Sequence, residues 1–329
     1  MLTDAGSIVL KPDQRTVGEY FLSGKRVWVA GHRGMAGSAV VRRLVSEPIG
    51  ELITATHEEL DLRDQDATHA FVADTRPDAV ILAAGKVGGI RVNQTAPGEF
   101  LYDNLMIAAN VLEAARVNEV ERTVNLGSSC IYPKEAAQPM AEDAFLTGPL
   151  DETNEGYAVA KIAALEMAKM YRRQYGMDTI SVMPSNLYGT NDDFDLETSH
   201  VLGALLRKTH EAMLGGAPTV AIWGSGAPRR EFLHVDDLAD ASVFVLQHYN
   251  GEAHLNVGTG TDVSINELAE LIAKIVGWDG EFVHDTSMPD GTARKLLDVS
   301  KLTELGWSAS IGLETGIRST YEWYLQNVA

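Results

Sequence analysis

The sequence predicts an α/β fold, in which a Rossmann-type, doubly wound parallel sheet is joined to a smaller C-terminal α/β lobe. Three observations predict it. Short apolar segments alternate with helical patterns in the first half of the chain, three glycines follow the first apolar segment, and the alternation loosens after Pro184. Short buried strands that alternate with helices are typical of a parallel sheet covered on both faces.

The predicted strands are short apolar runs bounded by polar residues, glycine or proline. They lie at residues 25–30, 53–56, 79–84, 123–126 and 179–183. Helical patterns lie between them, for example at residues 38–45, 104–115 and 157–175. In the last third, Ser264 and Glu267 have the spacing of a capping box, which predicts a helix over residues 265–276.

These elements divide the chain into three predicted parts. Residues 1–24 form an N-terminal extension, and residues 25–185 form a dinucleotide-binding domain. Residues 186–329 form mainly a substrate-binding lobe, with a segment at about 230–250 that returns to the first domain.

Composition excludes several classes of protein. The chain has 329 residues, of which 45% are hydrophobic, so it can bury a large core. The net charge of -19 disfavours nucleic acid as a partner, because nonspecific binding requires many lysines and arginines. No apolar run is long enough to span a membrane, and the N-terminus does not resemble a signal peptide. The single cysteine is typical of a reducing compartment, and we expect a cytoplasmic protein.

The glycines Gly31, Gly34 and Gly37 follow the first predicted strand and open a helix. Glycines at this position let the backbone approach a pyrophosphate, which is held at the helix N-terminus. The spacing is GxxGxxG, and glycines at such a turn are often only structural. The strand–helix units that follow the loop nevertheless favour dinucleotide binding.

The choice between NAD and NADP depends on the end of the second strand. Sites for NAD usually carry an acidic residue there, which holds the ribose 2′-hydroxyl. Here the strand ends at Thr56 and His57, with no acid before Glu58, while Arg33 lies inside the glycine loop. Both observations favour NADP, although Arg33 can also be read as a solvated loop cation.

Four polar side chains in the middle of the chain can meet one substrate carbonyl. Tyr157 and Lys161 are four residues apart, so they share one face of a helix. A lysine beside a tyrosine favours the phenolate, which makes the phenol a better proton donor and acceptor. Ser128 is a candidate to hold the same carbonyl oxygen. Cys130, the only cysteine, lies two residues further on.

The order of these features resembles the extended short-chain dehydrogenase/reductase family. Within that family, the chain resembles the GDP-L-fucose synthases from about residue 25 to its end. The segments that carry the resemblance are residues 31–37, 84–90, 126–133, 157–161, 181–189, 199–201, 223–226, 230–237 and 290–298.

The resemblance implies conversion of GDP-4-keto-6-deoxy-D-mannose to GDP-L-fucose, by epimerisation at C3 and C5 and NADPH-dependent reduction at C4. It implies that Ser128 and Tyr157 bind the reacting oxygen, while Lys161 binds the nicotinamide ribose and lowers the pKa of Tyr157. It gives Cys130 and His200 the roles of base and acid in epimerisation. Without the resemblance, a lone cysteine is more often a small buried side chain.

The resemblance also implies which residues bind the ligands. For NADP(H) they are Gly31, Arg33, Gly34, Met35, Ala36, Gly37, Lys161, Pro184, Ser185, Asn186, Leu187 and His200. For the nucleotide sugar they are Lys208, Trp223, Arg230 and Lys295. No metal is implied.

Two residues depart from the family pattern. Lys208 replaces an arginine, and a lysine acts on phosphate as a point charge rather than a planar fork. Gly156 replaces the proline that often precedes the tyrosine, and we expect it to loosen the start of that helix. Family members are generally homodimers, which here predicts an interface of residues 104–117 and 157–175.

Two alternatives remain open. Another nucleotide-sugar enzyme of the same fold, such as a 4-epimerase or a 4,6-dehydratase, would recycle its cofactor and would not require both Cys130 and His200. A non-catalytic dinucleotide-binding regulator would be expected to lack Tyr157 or Lys161, and both are present.

Overall fold

The fold is taken from a computed structural model, which describes residues 19–288 and 290–329. Most of the predicted N-terminal extension, residues 1–18, lies outside the described residues. The first half contains β1 (Arg26–Ala30), α1 (Met35–Leu44), β2 (Glu51–Ile53), α2 (Gln65–Thr75), β3 (Ala79–Leu82), α3 (Ile90–Thr95), α4 (Pro97–Val117), β4 (Arg122–Leu126), α5 (Glu155–Tyr175) and β5 (Thr179–Pro184). The second half contains β6 (Asn186–Tyr188), α6 (Val201–Gly215), β7 (Thr219–Trp223), β8 (Arg229–Arg230), β9 (Phe232–His234), α7 (Val235–His248), β10 (Leu255–Val257), β11 (Val263–Ser264), α8 (Ile265–Val276), β12 (Glu281–Asp285), β13 (Arg294–Lys295), α9 (Ser300–Glu304) and α10 (Leu313–Asn327).

Six parallel strands form the main sheet of the described residues, in the order β2-β1-β3-β4-β5-β10. This arrangement confirms the predicted α/β fold class. In a parallel sheet the carboxyl ends of the strands meet at one edge, where ligands bind. The segments after β1, β3, β4 and β5 therefore all begin at the same edge.

Both faces of this sheet are buried, as its nearly continuous apolar strands predict. Val27 and Val29 face a core that contains α1 and α7, whereas Trp28 and Ala30 face a core that contains α2 and α4. The period-two alternation of a strand divides neighbouring residues between the two cores. The helices that carry candidate site residues are thus packed on a fixed sheet.

The second lobe has its own core, built between α6, α8, α10 and the strand β7. The capping box of Ser264 and Glu267 is present, and α8 has the predicted bounds. The chain returns to the main sheet through α7, which packs against α1. Strand β10 then pairs with β5, so the returning chain extends to residue 257, beyond the predicted segment at 230–250.

Two helices of the first domain begin earlier than the sequence pattern predicted. Helix α4 begins at Pro97 rather than residue 104, because a proline fits the first turn of a helix. Helix α5 begins at Glu155, so Tyr157 lies in its first turn. None of the helices among the described residues is long and apolar enough to cross a membrane.

Candidate active site

The glycine loop between β1 and α1 is built by close backbone contacts. Gly31 has a φ of +87°, and a Cβ there would lie 2.6 Å from the backbone of Ala84. A Cβ on Gly37 would collide with the carbonyl of Gly31. Gly34, the N-cap of α1, has more open surroundings, since the nearest heavy atom to a Cβ there is 3.6 Å away. The loop therefore leaves a helix N-terminus open to an anion, which fits a dinucleotide phosphate.

A cavity of about 360 Å³ lies beside this loop. It is lined by Gly31, Gly34, His57, Asp61, Leu62, Arg63, Lys86 and Asp103, among others. Asp61 accepts hydrogen bonds from the Arg63 guanidinium at 2.9 and 2.7 Å, and this pairing lowers the pKa of Asp61 to about 2. The size of the cavity and its mixed polar and apolar lining fit the adenosine half of a dinucleotide.

Arg33, the candidate for the 2′-phosphate, does not line this cavity. Its side chain is 69% exposed, and the guanidinium lies 3.7 Å from the Glu58 carboxylate. An exposed pair of this kind is weak, so the side chain is free to turn to another anion. Arg63, in contrast, does line the cavity, and the sequence reasoning missed it.

The predicted cofactor residues after β5 lie at the same edge of the sheet. The amide of Ser185 donates to the carbonyl of Val257 at 3.0 Å, which fixes the backbone. Within the described residues, the buried Oγ of Ser185 has no hydrogen-bond partner. The Asn186 amide donates to the carbonyl of Glu231 at 2.8 Å. An unpartnered buried hydroxyl at this edge fits a residue that binds a ligand.

The turn after β4 carries two candidate catalytic residues. The amide of Gly127 donates to the carbonyl of Val182 at 2.8 Å, so the chain leaves the sheet in a fixed direction. The Ser128 hydroxyl then accepts a hydrogen bond from the amide of Cys130 at 3.2 Å and caps a short 3-10 turn, Ser129–Ile131. Ser128 and Cys130 are thereby held on one rigid turn.

Tyr132 anchors the far end of this turn in the core. Its side chain is buried, and its hydroxyl donates to the Asn256 amide oxygen at 2.5 Å. Asn256 also donates to the carbonyls of Met140 and Asp298, at 2.9 and 3.0 Å. Such a network is satisfied on several sides, so it rigidifies the turn that carries Cys130.

Helix α5 brings Tyr157 and Lys161 against this turn. Lys161 donates to the carbonyl of Leu126 at 2.9 Å, and its Nζ lies 5.7 Å from the centre of the Tyr157 ring. A Cβ on Gly85 would lie 3.6 Å from the same Nζ, and Gly85 lines the cofactor cavity. The Lys161 ammonium therefore lies close both to a residue of the cavity wall and to the Tyr157 ring.

Burial controls the acid–base state of this pair. Desolvation raises the pKa of Tyr157, the nearby Cys130 raises it further, and a hydrogen bond with Ser128 lowers it. Desolvation also lowers the pKa of Lys161 to about 8. Because the burial of the phenol is the largest of these effects, the pKa of Tyr157 lies above its usual value. Tyr157 is therefore a protonated donor. The lowering of this pKa by Lys161 stays a prediction.

Cys130 has a further contact that the sequence analysis did not anticipate. The side-chain amide of Asn154 donates to the Cys130 Sγ at 3.2 Å. Asn154 is the N-cap of α5, three residues before Tyr157. The structure thus brings Ser128, Cys130, Tyr157 and Lys161 together and adds Asn154 to them.

His200 is the N-cap of α6 in the second lobe. Its side chain keeps an exposed surface, while desolvation by the surrounding protein lowers its pKa and Asp193 opposes this effect. The preceding residues are tied to the loop after β3, since the amide of Gly89 donates to the carbonyl of Thr198 at 2.8 Å. Among the described residues, no hydrogen bond joins His200 to Cys130.

Two candidate substrate cations lie side by side on short strands of the second lobe. Arg230 on β8 pairs in register with Lys295 on β13. Burial lowers the pKa of Arg230, while the negative charges of Asp151 and Asp290 oppose this effect. Lys295 is one of the groups that lower the pKa of Asp151. The two cations therefore share the negative charge of Asp151.

The other two candidates form a separate pair. The Nζ of Lys208 lies 5.3 Å from the centre of the Trp223 ring, a cation–π contact, and Trp223 is 48% exposed. The loop after Trp223 is fixed by Asp290, which accepts hydrogen bonds from the amide and hydroxyl of Ser225 at 2.8 and 2.7 Å. Asp290 thus connects this loop to Arg230.

The sequence reasoning missed another residue in addition to Arg63 and Asn154. Asn104 on α4 is buried, and its side chain holds the backbone of Lys86 in the loop after β3, through two hydrogen bonds of 3.0 Å. A polar residue inside an apolar helical pattern was the available signal for Asn104. For Asn154 the signal was that asparagine is a preferred N-cap residue and lies just before α5, the helix that carries Tyr157 and Lys161.

The chain was compared with known proteins. Residues 27–258 match the NAD dependent epimerase/dehydratase family. The chain is 54% identical to the putative GDP-L-fucose synthase 2 of Arabidopsis thaliana, over 92% of each sequence. It is 53% identical to the GDP-L-fucose synthase of Escherichia coli, over 93% of this chain and 98% of the relative. A solved structure of a GDP-L-fucose synthetase from Naegleria fowleri bound to NADP superposes with a TM-score of 0.89, at 29% identity over 96% of this chain and 98% of the other.

Proposed function

Since the chain belongs to the NAD dependent epimerase/dehydratase family and, within it, to the GDP-L-fucose synthases, we propose that it converts GDP-4-keto-6-deoxy-D-mannose to GDP-L-fucose. The protein is an NADP(H)-dependent enzyme. The observation that carries the proposal is the position of its single cysteine on the turn that bears Ser128, against Tyr157 and Lys161. A reductase alone has no need of a thiol there.

Epimerisation begins with the C4 carbonyl of the substrate, which acidifies the C–H bonds at C3 and C5. We assign O4 to the hydroxyls of Ser128 and Tyr157, which stabilise the negative charge when a proton leaves carbon. Tyr157 is suited to this role because its raised pKa keeps it a hydrogen-bond donor.

We assign the removal of the proton from carbon to the Cys130 thiolate, and its return on the opposite face of the sugar to His200. At each carbon the C–H electron pair moves into the enolate, and the new C–H bond forms with a proton from the acid. Desolvation lowers the pKa of His200, so its protonated form is a stronger acid than a free imidazolium. The proposal requires that Cys130 and His200 reach the sugar from opposite faces.

NADPH, when bound, supplies the hydride that reduces C4. Tyr157 gives its proton to O4 as the carbonyl becomes an alcohol, so one oxygen site serves both half-reactions. We assign Lys161 to the nicotinamide ribose, which is supported by its position beside the Leu126 carbonyl and close to Gly85 in the wall of the cofactor cavity.

We assign the nucleotide of the substrate, including its diphosphate, to Lys208, Trp223, Arg230 and Lys295. These local cations are needed because the protein as a whole carries a net charge of -19. At Lys208 the contact with phosphate is a single point charge rather than a bidentate fork.

We further propose a cytoplasmic homodimer. Cys130 acts here as a free thiol, which a reducing compartment preserves. Apolar side chains remain exposed on α4 and α5, including Tyr102 at 59% and Met170 at 43%, and they support an interface on these helices. Light scattering of the full chain tests this assembly.

The deciding experiment incubates the protein with GDP-4-keto-6-deoxy-D-mannose and NADPH. The proposal expects stoichiometric loss of NADPH absorbance and formation of GDP-L-fucose. Formation of GDP-rhamnose alone would mean reduction without epimerisation, and no net consumption of NADPH would favour a 4-epimerase or a 4,6-dehydratase. Cys130→Ser or His200→Asn should impair epimerisation more than reduction. If both variants form GDP-L-fucose at the full rate, the proposed proton chemistry is wrong.

A further inference from the structure

Asn154 occupies a position where its residue type normally has a different task. As the N-cap of α5, its side chain would ordinarily accept a hydrogen bond from a backbone amide in the first turn. In this protein it makes no capping hydrogen bond. Its side-chain amide donates instead to the Cys130 Sγ at 3.2 Å.

The local turn does not depend on the Asn154 side chain. Asp151 caps the short turn that precedes α5, because its carboxylate accepts from the amide and the hydroxyl of Thr153 at 3.0 and 2.8 Å. The Oδ1 of Asn154 is buried and has no hydrogen-bond partner in the part of the chain that the structure describes. The Asn154 side chain therefore donates a hydrogen bond to the sulfur and does not cap the backbone amides at the start of α5.

The direction of this hydrogen bond determines its effect. An amide N–H donates only, so it stabilises a sulfur that carries negative charge more than it stabilises a thiol. The titratable groups that face Cys130 are Tyr157 and Lys161, both on α5. Lys161 already donates to the carbonyl of Leu126, and among the described residues the Asn154 amide is the one side-chain donor to the sulfur.

We infer that Asn154 is a positioning residue for epimerisation, which orients the Cys130 sulfur and stabilises its thiolate through a neutral hydrogen bond. The inference deepens the proposed function and rests on it for the meaning of the thiolate. A neutral donor suits the task, because a cation in its place would hold the thiolate in an ion pair and weaken it as a base. Asn154 touches neither the reacting carbon nor its oxygen in this scheme.

The first test titrates the cysteine directly and needs no substrate. Because Cys130 is the only cysteine of the chain, the rate of alkylation by iodoacetamide, followed by intact mass, reports its thiolate alone. In Asn154→Ala, the midpoint of the pH profile of alkylation is expected to rise by about one pH unit, a roughly tenfold loss of thiolate near neutral pH. Asn154→Asp keeps the size and the N-cap preference but adds a negative charge, so the midpoint is expected to rise further.

The matched control is Asn118→Ala, which removes an asparagine from the end of α4. There the side chain donates to the carbonyl of Ala114 at 2.8 Å and has no contact with the cysteine. Its alkylation profile is expected to match that of the unchanged protein. If Asn154→Ala does not fold, Asn154→Asp carries the test alone.

The second readout is exchange of deuterium from D2O into C3 and C5 of GDP-4-keto-6-deoxy-D-mannose without NADPH. In Asn154→Ala, exchange is expected to fall about tenfold near neutral pH and to recover as the pH rises and restores the thiolate. A merely structural defect would not recover in this way.

An alkylation midpoint that is the same in both Asn154 variants and the unchanged protein would overturn the inference. If the midpoint rises but exchange stays low at every pH, Asn154 does not act through the thiolate in the reaction, which also overturns it. If the unchanged protein itself gives no exchange with this substrate, the proposed function fails, while the shift of the midpoint still reports the effect of Asn154 on the sulfur.

Discussion

The two regions assigned to the substrate hold their polar side chains in different ways. At the edge of the main sheet, Lys161 is held by a backbone carbonyl, and the pKa of its ammonium is lowered by burial. In the second lobe, the charge of Arg230 is balanced by Asp151 and Asp290. The first region fixes its groups through uncharged contacts, whereas the second keeps a cation among carboxylates.

The ligands that we propose for the two regions account for this difference. A region that holds a neutral carbonyl in a fixed position is well served by rigid contacts to strand ends and a helix. A region that binds a diphosphate in an acidic protein needs local cations, and carboxylates balance their charge in this structure. The catalytic region should therefore be sensitive to changes of geometry, and the lobe to changes of charge.

The largest effect is expected from Tyr157→Phe, which removes the proton donor and leaves the ring in place. The rate of NADPH oxidation with GDP-4-keto-6-deoxy-D-mannose should fall about 100- to 10,000-fold, the usual contribution of general acid catalysis. Tyr175→Phe on the same helix, at an exposed position, serves as the control. A loss of less than tenfold would show that another group protonates O4, and the contrast between the two regions would lose its main support.

The second prediction tests the lobe through Arg230→Gln, which removes a charge and keeps an amide. The KM for the nucleotide sugar should rise about 10- to 100-fold with little change in kcat, because a charge-assisted contact to phosphate acts in the ground state and the transition state alike. Steady-state kinetics at constant salt measures it. Arg229→Gln is the matched control, because the Arg229 guanidinium is held by Asp262 at 2.8 Å. Equal effects of the two variants would contradict the assignment of Arg230.

The third prediction concerns the packing beneath the catalytic helix. A Cβ on Gly156 would lie 2.5 Å from the carbonyl oxygen of Pro97, which is backbone and cannot move aside. Gly156→Ala should therefore lower the free energy of unfolding by about 2 kcal/mol, as overpacking does. The control is Gly98→Ala in α4, where nothing lies within 4 Å of the added Cβ. That variant should be neutral or more stable by up to about 1 kcal/mol. Urea denaturation of both variants gives the comparison, and equal stabilities would contradict it.

Gly156 also illustrates what the sequence could not predict. We expect this glycine to loosen the start of α5, which begins at Glu155 and includes it, and this expectation stays a prediction. Local patterns could not show that the carbonyl oxygen of Pro97, which is distant in sequence, lies 2.5 Å from the position that a Cβ on residue 156 would take. Four of the six strands of the sheet, by contrast, were predictable, because they are short and nearly continuous apolar runs. The prediction of the second strand at residues 53–56 was wrong, since β2 lies at Glu51–Ile53, and β10 was not predicted.

The residues of the candidate site likewise fall into those that local patterns predict and those that they do not. Ser128, Tyr157 and Lys161 were predictable because they follow a strand end or share a helix face, both of which are local features. Asn154 and Arg63 were not, since their contacts with Cys130 and Asp61 depend on side-chain directions that spacing does not define. The position of His200 relative to Cys130 depends on how the second lobe folds against the first, so its role stays a prediction.

The smallest expected effect is on the pH dependence of stability. It distinguishes the Lys161 ammonium, which is held by a backbone carbonyl, from a lysine ammonium that has carboxylate partners. Burial lowers the pKa of Lys161 to about 8 in the folded protein, from 10.5. Between these values the unfolded chain binds the proton more tightly, so the stability of the folded protein rises with pH. From about pH 7 to about pH 9, the stability of the unchanged protein relative to Lys161→Met should rise by about 1.4 kcal/mol.

The comparison for this last effect is Lys86→Met at the same edge of the sheet. Lys86 lies 2.6 Å from Glu99 and 3.3 Å from Asp103, and these carboxylates raise the pKa of its ammonium. Both its folded and unfolded forms are therefore protonated from about pH 7 to about pH 9, and its relative stability should not change. Urea denaturation at the two pH values measures both differences. Parallel pH profiles for the unchanged protein and Lys161→Met would mean that Lys161 keeps its ordinary affinity for the proton. The protonation of Lys161 would then contribute to the pH dependence of stability in the same way as that of Lys86, which has carboxylate partners.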